Sequence, residues 1–148
     1  MLAVGRHGLV ATFGDHLMKA DQHDTFCLQS GQLALKHLQR QGLRLVQRNF
    51  KTPGRGGGEV DLIMREPDGT LVFVEVRQRA SASRGGAAAS ITGVKQRRIV
   101  FAARHFLLRL GSEPPCRFDV VLLEGALDAP AGPRIEWLRA AFDASGAF

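Results

Sequence analysis

The chain has 148 residues, 45% hydrophobic and 23% charged, with a formal net charge of +6 and a pI near 10.3. This is enough chain for one globular domain with a full hydrophobic core, and no apolar run approaches the length of a membrane span. The excess of positive charge calls for an anionic partner, nucleic acid ahead of a membrane surface, with a merely basic soluble protein as the plain alternative. Cys27 and Cys116 are isolated and lack metal-ligand spacing, which suits reduced thiols. Leu9 to Phe13 is too short for the core of a signal peptide and is followed closely by Asp15, so a cytoplasmic protein is expected.

In chain order, residues Met1 to Asp24 show no sustained periodicity and are expected to form a poorly defined leader (1–24) to a single domain (25–148). From Thr25 to Gln41 apolar residues fall at Leu28, Gly31, Ala34, Leu35 and Leu38, a helical stripe that Gly42 should stop. Leu43 to Phe50 reads as a strand. Thr52 to Gly58 is a glycine-rich loop, basic at Lys51 and Arg55; no Lys-Ser/Thr follows it, so it is not a phosphate-binding P-loop. The runs Gly58 to Met64 and Leu71 to Arg77 are strands joined by Glu66-Pro67-Asp68-Gly69, good turn chemistry for an antiparallel hairpin. Arg77 to Ile91, rich in Gly, Ala, Ser and Arg, should be a mobile loop.

Thr92 can cap a helix running to Leu110 and stopped by Gly111, with Ile99, Ala102, Ala103, Phe106, Leu107 and Leu110 on one face. Arg117 to Glu124 is a continuous apolar run of the kind buried on both faces. Ile135 to Phe142, around Trp137, is a short terminal helix or strand. The predicted order is α-β-β-β-α-β, an α/β fold with a mixed β-sheet flanked by helices. Its last strand should run parallel to the Glu75 strand after a right-handed crossover.

Three carboxylates stand out. Glu59, Asp61 and Glu75 lie among aliphatics on the two hairpin strands, where an acid is costly to bury unless it is paired or holds a metal. Strand alternation predicts that Glu59 and Asp61 share a face about 7 Å apart, and the hairpin can bring Glu75 beside Asp61. Such an oxygen-rich site suits Mg²⁺ or Mn²⁺. The alternative is a solvated strand face on which Glu59 and Glu75 pair with Arg77 and Arg79. Lys95 sits four residues before Ile99, at the start of the sheet-facing stripe and in the first helical turn, where the helix dipole favours phosphate; it too has an alternative, as a surface lysine. Lys95-Gln96-Arg97-Arg98 forms a candidate phosphate-contacting patch, with Arg55, Arg77, Arg79 and Arg84 as further cations. The five histidines show no ligand spacing; Asp119 is expected to pair with Arg117, and Trp137 to pack rather than to stack on a base.

Gly58-Glu59-Val60-Asp61-Leu62-Ile63, Val72-Phe73-Val74-Glu75-Val76-Arg77-Gln78-Arg79, Lys95-Gln96-Arg97-Arg98, Arg117-Phe118-Asp119-Val120-Val121 and Arg48-Asn49-Phe50 together resemble the YraN-type family of uncharacterised bacterial proteins, over roughly Gly31 to Glu124. The resemblance implies a restriction-endonuclease-like fold, similar to Holliday-junction resolvases, within the PD-(D/E)-x-K nuclease superfamily. It implies a metal site at Asp61 and Glu75, with Glu59 as a neighbouring acid. Arg77 would stand at the superfamily's catalytic lysine position, and Lys95 would supply the displaced amine. Two departures accompany it. Gly31 occupies the place of a glutamate usual on the first helix, and an arginine is no general base, so Arg77 would instead stabilise developing charge.

The functions to be weighed are therefore a Mg²⁺- or Mn²⁺-dependent endonuclease acting on branched or structured DNA, and a nucleic-acid-binding protein of nuclease-like fold that does not cut. A protein-interaction module is a third. A homodimer would suit a junction-cutting enzyme, which must cleave two strands.

Overall fold

The computed structural model describes residues 7–79 and 91–147, with side chains described over 24–79 and 91–145. Helix α1 spans His7–Arg40, followed by β1 (Arg44–Lys51), β2 (Glu59–Arg65) and β3 (Leu71–Arg79). Helix α2 (Gly93–Leu110) then leads to β4 (Cys116–Glu124) and β5 (Arg134–Phe142), and a 3-10 turn closes the chain at Ala144–Ala147. The five strands form one mixed sheet in the order β1-β2-β3-β4-β5; all neighbours are antiparallel except β3 and β4, which run parallel as the crossover requires. The terminal segment is a strand.

Helix α1 begins at His7, well before the expected Thr25. No proline interrupts His7 to Arg40, so backbone hydrogen bonding carries the helix through residues that have no clear apolar period. The expected stripe is half right: Ala34, Leu35 and Leu38 are buried, whereas Leu28 is 58% exposed and borders the pocket that also holds Asp61. On α2, Thr92 accepts a hydrogen bond from the Lys95 N–H at 3.2 Å, and Gly111 ends the helix at φ 74°, donating to the Leu107 carbonyl. Leu110, expected on the buried face, is 40% exposed. β3 runs on to Arg79, so the expected loop loses its first residues to the strand; the remainder, 80–90, including Arg84, lies outside the described residues.

The sheet is covered on both faces. On one, Phe50, Val60, Ile63 and Phe73 pack against Ile99, Ala102, Ala103 and Phe106 of α2. On the other, Leu62, Met64, Val72, Val74 and Val121 pack against Ala34, Leu35 and Leu38 of α1. Strands buried on both sides explain the unbroken apolar runs of β3 and β4. Cys27 and Cys116 are exposed. Among the described residues, no helix is long and apolar enough to cross a membrane.

A candidate active site where the central hairpin opens

Val60 packs on the α2 side, yet Leu62, two residues further along β2, packs on the α1 side. Strict alternation therefore slips at Asp61. The same switch occurs in β1, whose Phe50 faces α2 while the Arg48 guanidinium donates to Gln32 on α1 at 3.0 Å; between them Asn49 adopts φ 48°, a left-handed conformation that asparagine tolerates better than most residues. Arg48 pairs with Leu62 and Phe50 with Val60, so the two irregularities lie side by side.

Beyond the Leu62–Val74 pair the β2–β3 ladder opens, and Asp61 turns its carboxylate into the gap, where Oδ2 accepts the Val76 N–H at 2.8 Å. The expectation that Glu59 and Asp61 simply share a face thus needs correction, because it assumed unbroken alternation. Glu59 instead meets the α2 lysine: Lys95 Nζ lies 3.4 Å from Glu59 Oε1 and 3.5 Å from Glu75 Oε1.

The glycine-rich loop makes that approach possible. A Cβ on Gly58 would overlap the Arg98 carbonyl of α2, so only glycine lets the start of β2 lie so close to the helix. Thr52, buried at the base of the loop, ties it shut by accepting the Gly58 N–H at 2.7 Å.

Glu75 is the most confined acid of the group, its side chain 8% exposed. Oxygen Oε2 is buried and finds no hydrogen-bond partner among the described residues. Burial, reinforced by the negative charge of Asp61, pushes the Glu75 carboxyl up to about 8, a rise that Lys95 only partly offsets. Burial also raises Asp61, against the pull of the Val76 N–H. A buried carboxylate oxygen beside a second, half-buried acid fits a hard divalent cation, which would hold both groups ionised. Among the described residues no three acidic, histidine or cysteine side chains are grouped to cage an ion.

On the α1 side Asp61 lines a cavity of about 390 Å³ together with Gly31, Arg48, Asn49 and Lys51. Gly31 thus lies in the same pocket as the acid, with no side chain to offer. Arg48 and Lys51 were not singled out as site residues in the sequence; the break at Asn49 that aims this part of β1 into the pocket leaves no mark in a hydropathy pattern. Arg77 lies beyond Glu75 on β3, partly buried, and Arg79 ends the strand with its carbonyl accepting the Gly125 N–H. Arg55, Arg97 and Arg98 are exposed, Arg55 on the glycine loop and the others on α2, where Arg98 Nε donates to the Gly57 carbonyl at 3.3 Å. Arg84 has no described position. Asp119 is fully buried on β4, opposite Val74, and is bound by Arg117 Nε, Trp137 Nε1 and the Ala140 N–H at 2.9–3.1 Å. Trp137, held there and covered by Arg139 at 4.0 Å, packs the edge of the sheet.

The model of a family described as "Uncharacterised protein family UPF0102" matches residues 31–123. The UPF0102 protein of Albidiferax ferrireducens is 69% identical over 111 residues, covering 75% of this chain and 81% of that protein. The UPF0102 protein of Polaromonas naphthalenivorans is 71% identical over 106 residues, covering 70% of this chain and 69% of its own length.

Proposed function

The chain belongs to the UPF0102 or YraN family, a nuclease-like family of the PD-(D/E)-x-K type, and from that membership and the site geometry we propose that it is a divalent-metal-dependent endonuclease acting on structured or branched DNA. The observation that carries the reading is the Asp61–Glu75 pair, a half-buried acid beside a buried one that presents an oxygen with no hydrogen-bond partner among the described residues. Bound there, Mg²⁺ or Mn²⁺ would supply Lewis acidity toward a phosphodiester. Asp61 and Glu75 would hold the ion, and Glu59 would keep Lys95 directed at the site. Lys95, in the first turn of α2, would bind a phosphate oxygen with the help of the helix dipole. Arg77 would stabilise charge developing on the phosphate, and Arg55, Arg79, Arg97 and Arg98 would hold the flanking backbone.

The test is cleavage of junction, flap and duplex substrates with Mg²⁺ or Mn²⁺. Activity lost on adding chelator and in both Asp61→Asn and Glu75→Gln is the expected result. Metal-independent cleavage, or cleavage that survives both changes, overturns the proposal.

Gly31 favours a second reading, a nucleic-acid-binding protein that does not cut, because it leaves the α1 wall of the pocket without a carboxylate. That reading expects steeply salt-dependent DNA binding, indifferent to chelator and weakened in Lys95→Ala and Arg98→Ala.

A further inference from the structure

The inner side of α2 packs on the sheet, yet three apolar side chains stand on its outer side. Val94, Phe101 and Leu108 are 59%, 46% and 79% exposed. Their sevenfold spacing sets them in one line along the helix. Around them lie Arg97, Arg98, Arg104 and His105, and the whole helix carries five Lys or Arg residues and no acid. The Phe101 ring rests against His105, centroids 5.0 Å apart. Between this face and Gly56 of the glycine loop runs a groove of about 290 Å³, lined by Val94, Arg97, Arg98, Phe101 and Arg104.

We propose that this outer face of α2 is a docking surface for an unpaired nucleic-acid strand, with a base stacked on Phe101 and the phosphates held by Arg97, Arg98 and Arg104. Charge selects the occupant. A second copy of α2 would bring cations against cations with no acid on either helix to pair them, whereas a phosphodiester chain neutralises them. The face is also a groove with a single exposed aromatic, the arrangement of a stacking platform rather than of a broad amphipathic surface suited to a bilayer. Its N-terminal end, at Val94, is next in sequence to Lys95, which reaches Glu59 and Glu75. The inference rests on the nucleic-acid reading above and narrows it to substrates with a single-stranded part.

The experiment is fluorescence anisotropy with a short labelled single strand, a duplex of equal length, and phosphatidylglycerol vesicles, measured across a salt series. The wild type should prefer the single strand. Phe101→Ala should weaken that binding roughly 5- to 100-fold with an unchanged salt slope, while duplex binding changes little. Arg97→Ala or Arg98→Ala should lower the slope by about one. Phe101→Trp should retain affinity and lose indole fluorescence on binding, a signal that a purely structural role would not give. Equal single-strand affinity in wild type and Phe101→Ala overturns the inference while leaving nucleic-acid binding intact. Binding to vesicles alone transfers the face to a membrane and overturns it. No binding of either nucleic acid at low salt removes the nucleic-acid reading itself.

Discussion

Glu75 joins the buried core of a strand to the chemistry of a site, and its titration is measurable. Its folded pKa, about 8, lies above the ordinary 4.5, so the folded state holds the proton that the unfolded chain has released. This group's contribution to stability is therefore complete below pH 4.5 and declines as pH rises toward 8. Thermal melts from pH 5 to 8 should show a decline that Glu75→Gln flattens. At pH 8, Mn²⁺ should raise the melting temperature of the wild type and leave that of Glu75→Gln unmoved. Gly31 permits a second test. A Cβ there meets Arg48 Nη2 at 3.6 Å, an ordinary contact, so Gly31→Glu should fold and gain about 0.5–1 kcal/mol of helix stability in denaturant melts. With Arg48 adjacent and Asp61 on the same pocket, it should also tighten Mn²⁺ binding in a calorimetric titration.

At the level of elements, α2 is held by features of very different weight. Thr92→Ala removes one capping bond and should cost about 1 kcal/mol in denaturant melts. Gly58→Ala drives a methyl into the Arg98 carbonyl, backbone against backbone, and should cost about 2 kcal/mol or more while moving α2 away from β2. Asp119 anchors the β4–β5 edge of the sheet, where the register slips between Phe118 and Val120 and Ala140 adopts φ 48°. Asp119→Ala leaves Arg117 with Glu66 alone and strands the Trp137 and Ala140 N–H groups, and should cost about 2 kcal/mol or more in denaturant melts. Much of this was legible in the chain. Thr92, Gly111 and Pro67-Asp68-Gly69 punctuate elements by their own local chemistry. The start of α1 was not, because a helix without a breaker can extend beyond its apolar stripe.

For the whole molecule, a sheet covered on both sides places the site at the opening of its central hairpin, between α1 and the N-terminus of α2. On the proposed function, the cations of α2 and of the glycine loop would draw a polyanion toward the acids. Binding of DNA should weaken steeply with salt, with a log–log slope of about −0.7 to −0.9 per phosphate neutralised.

The amino-acid order alone determined β1 to β4, the hairpin turn and both ends of α2, and singled out the three acids with Lys95 as a candidate site, because each depends on residue type, period and near neighbours; it left β5 as helix or strand. Only the tertiary structure decided how the acids divide. Asp61 turns into the pocket with Gly31, Arg48 and Lys51, Glu59 goes to Lys95, and one oxygen of Glu75 remains buried without a partner. That division depends on the slip in alternation beside Asn49 and on the close approach of Gly58 to α2. Both are contacts between segments far apart in sequence, to which local periodicity is blind.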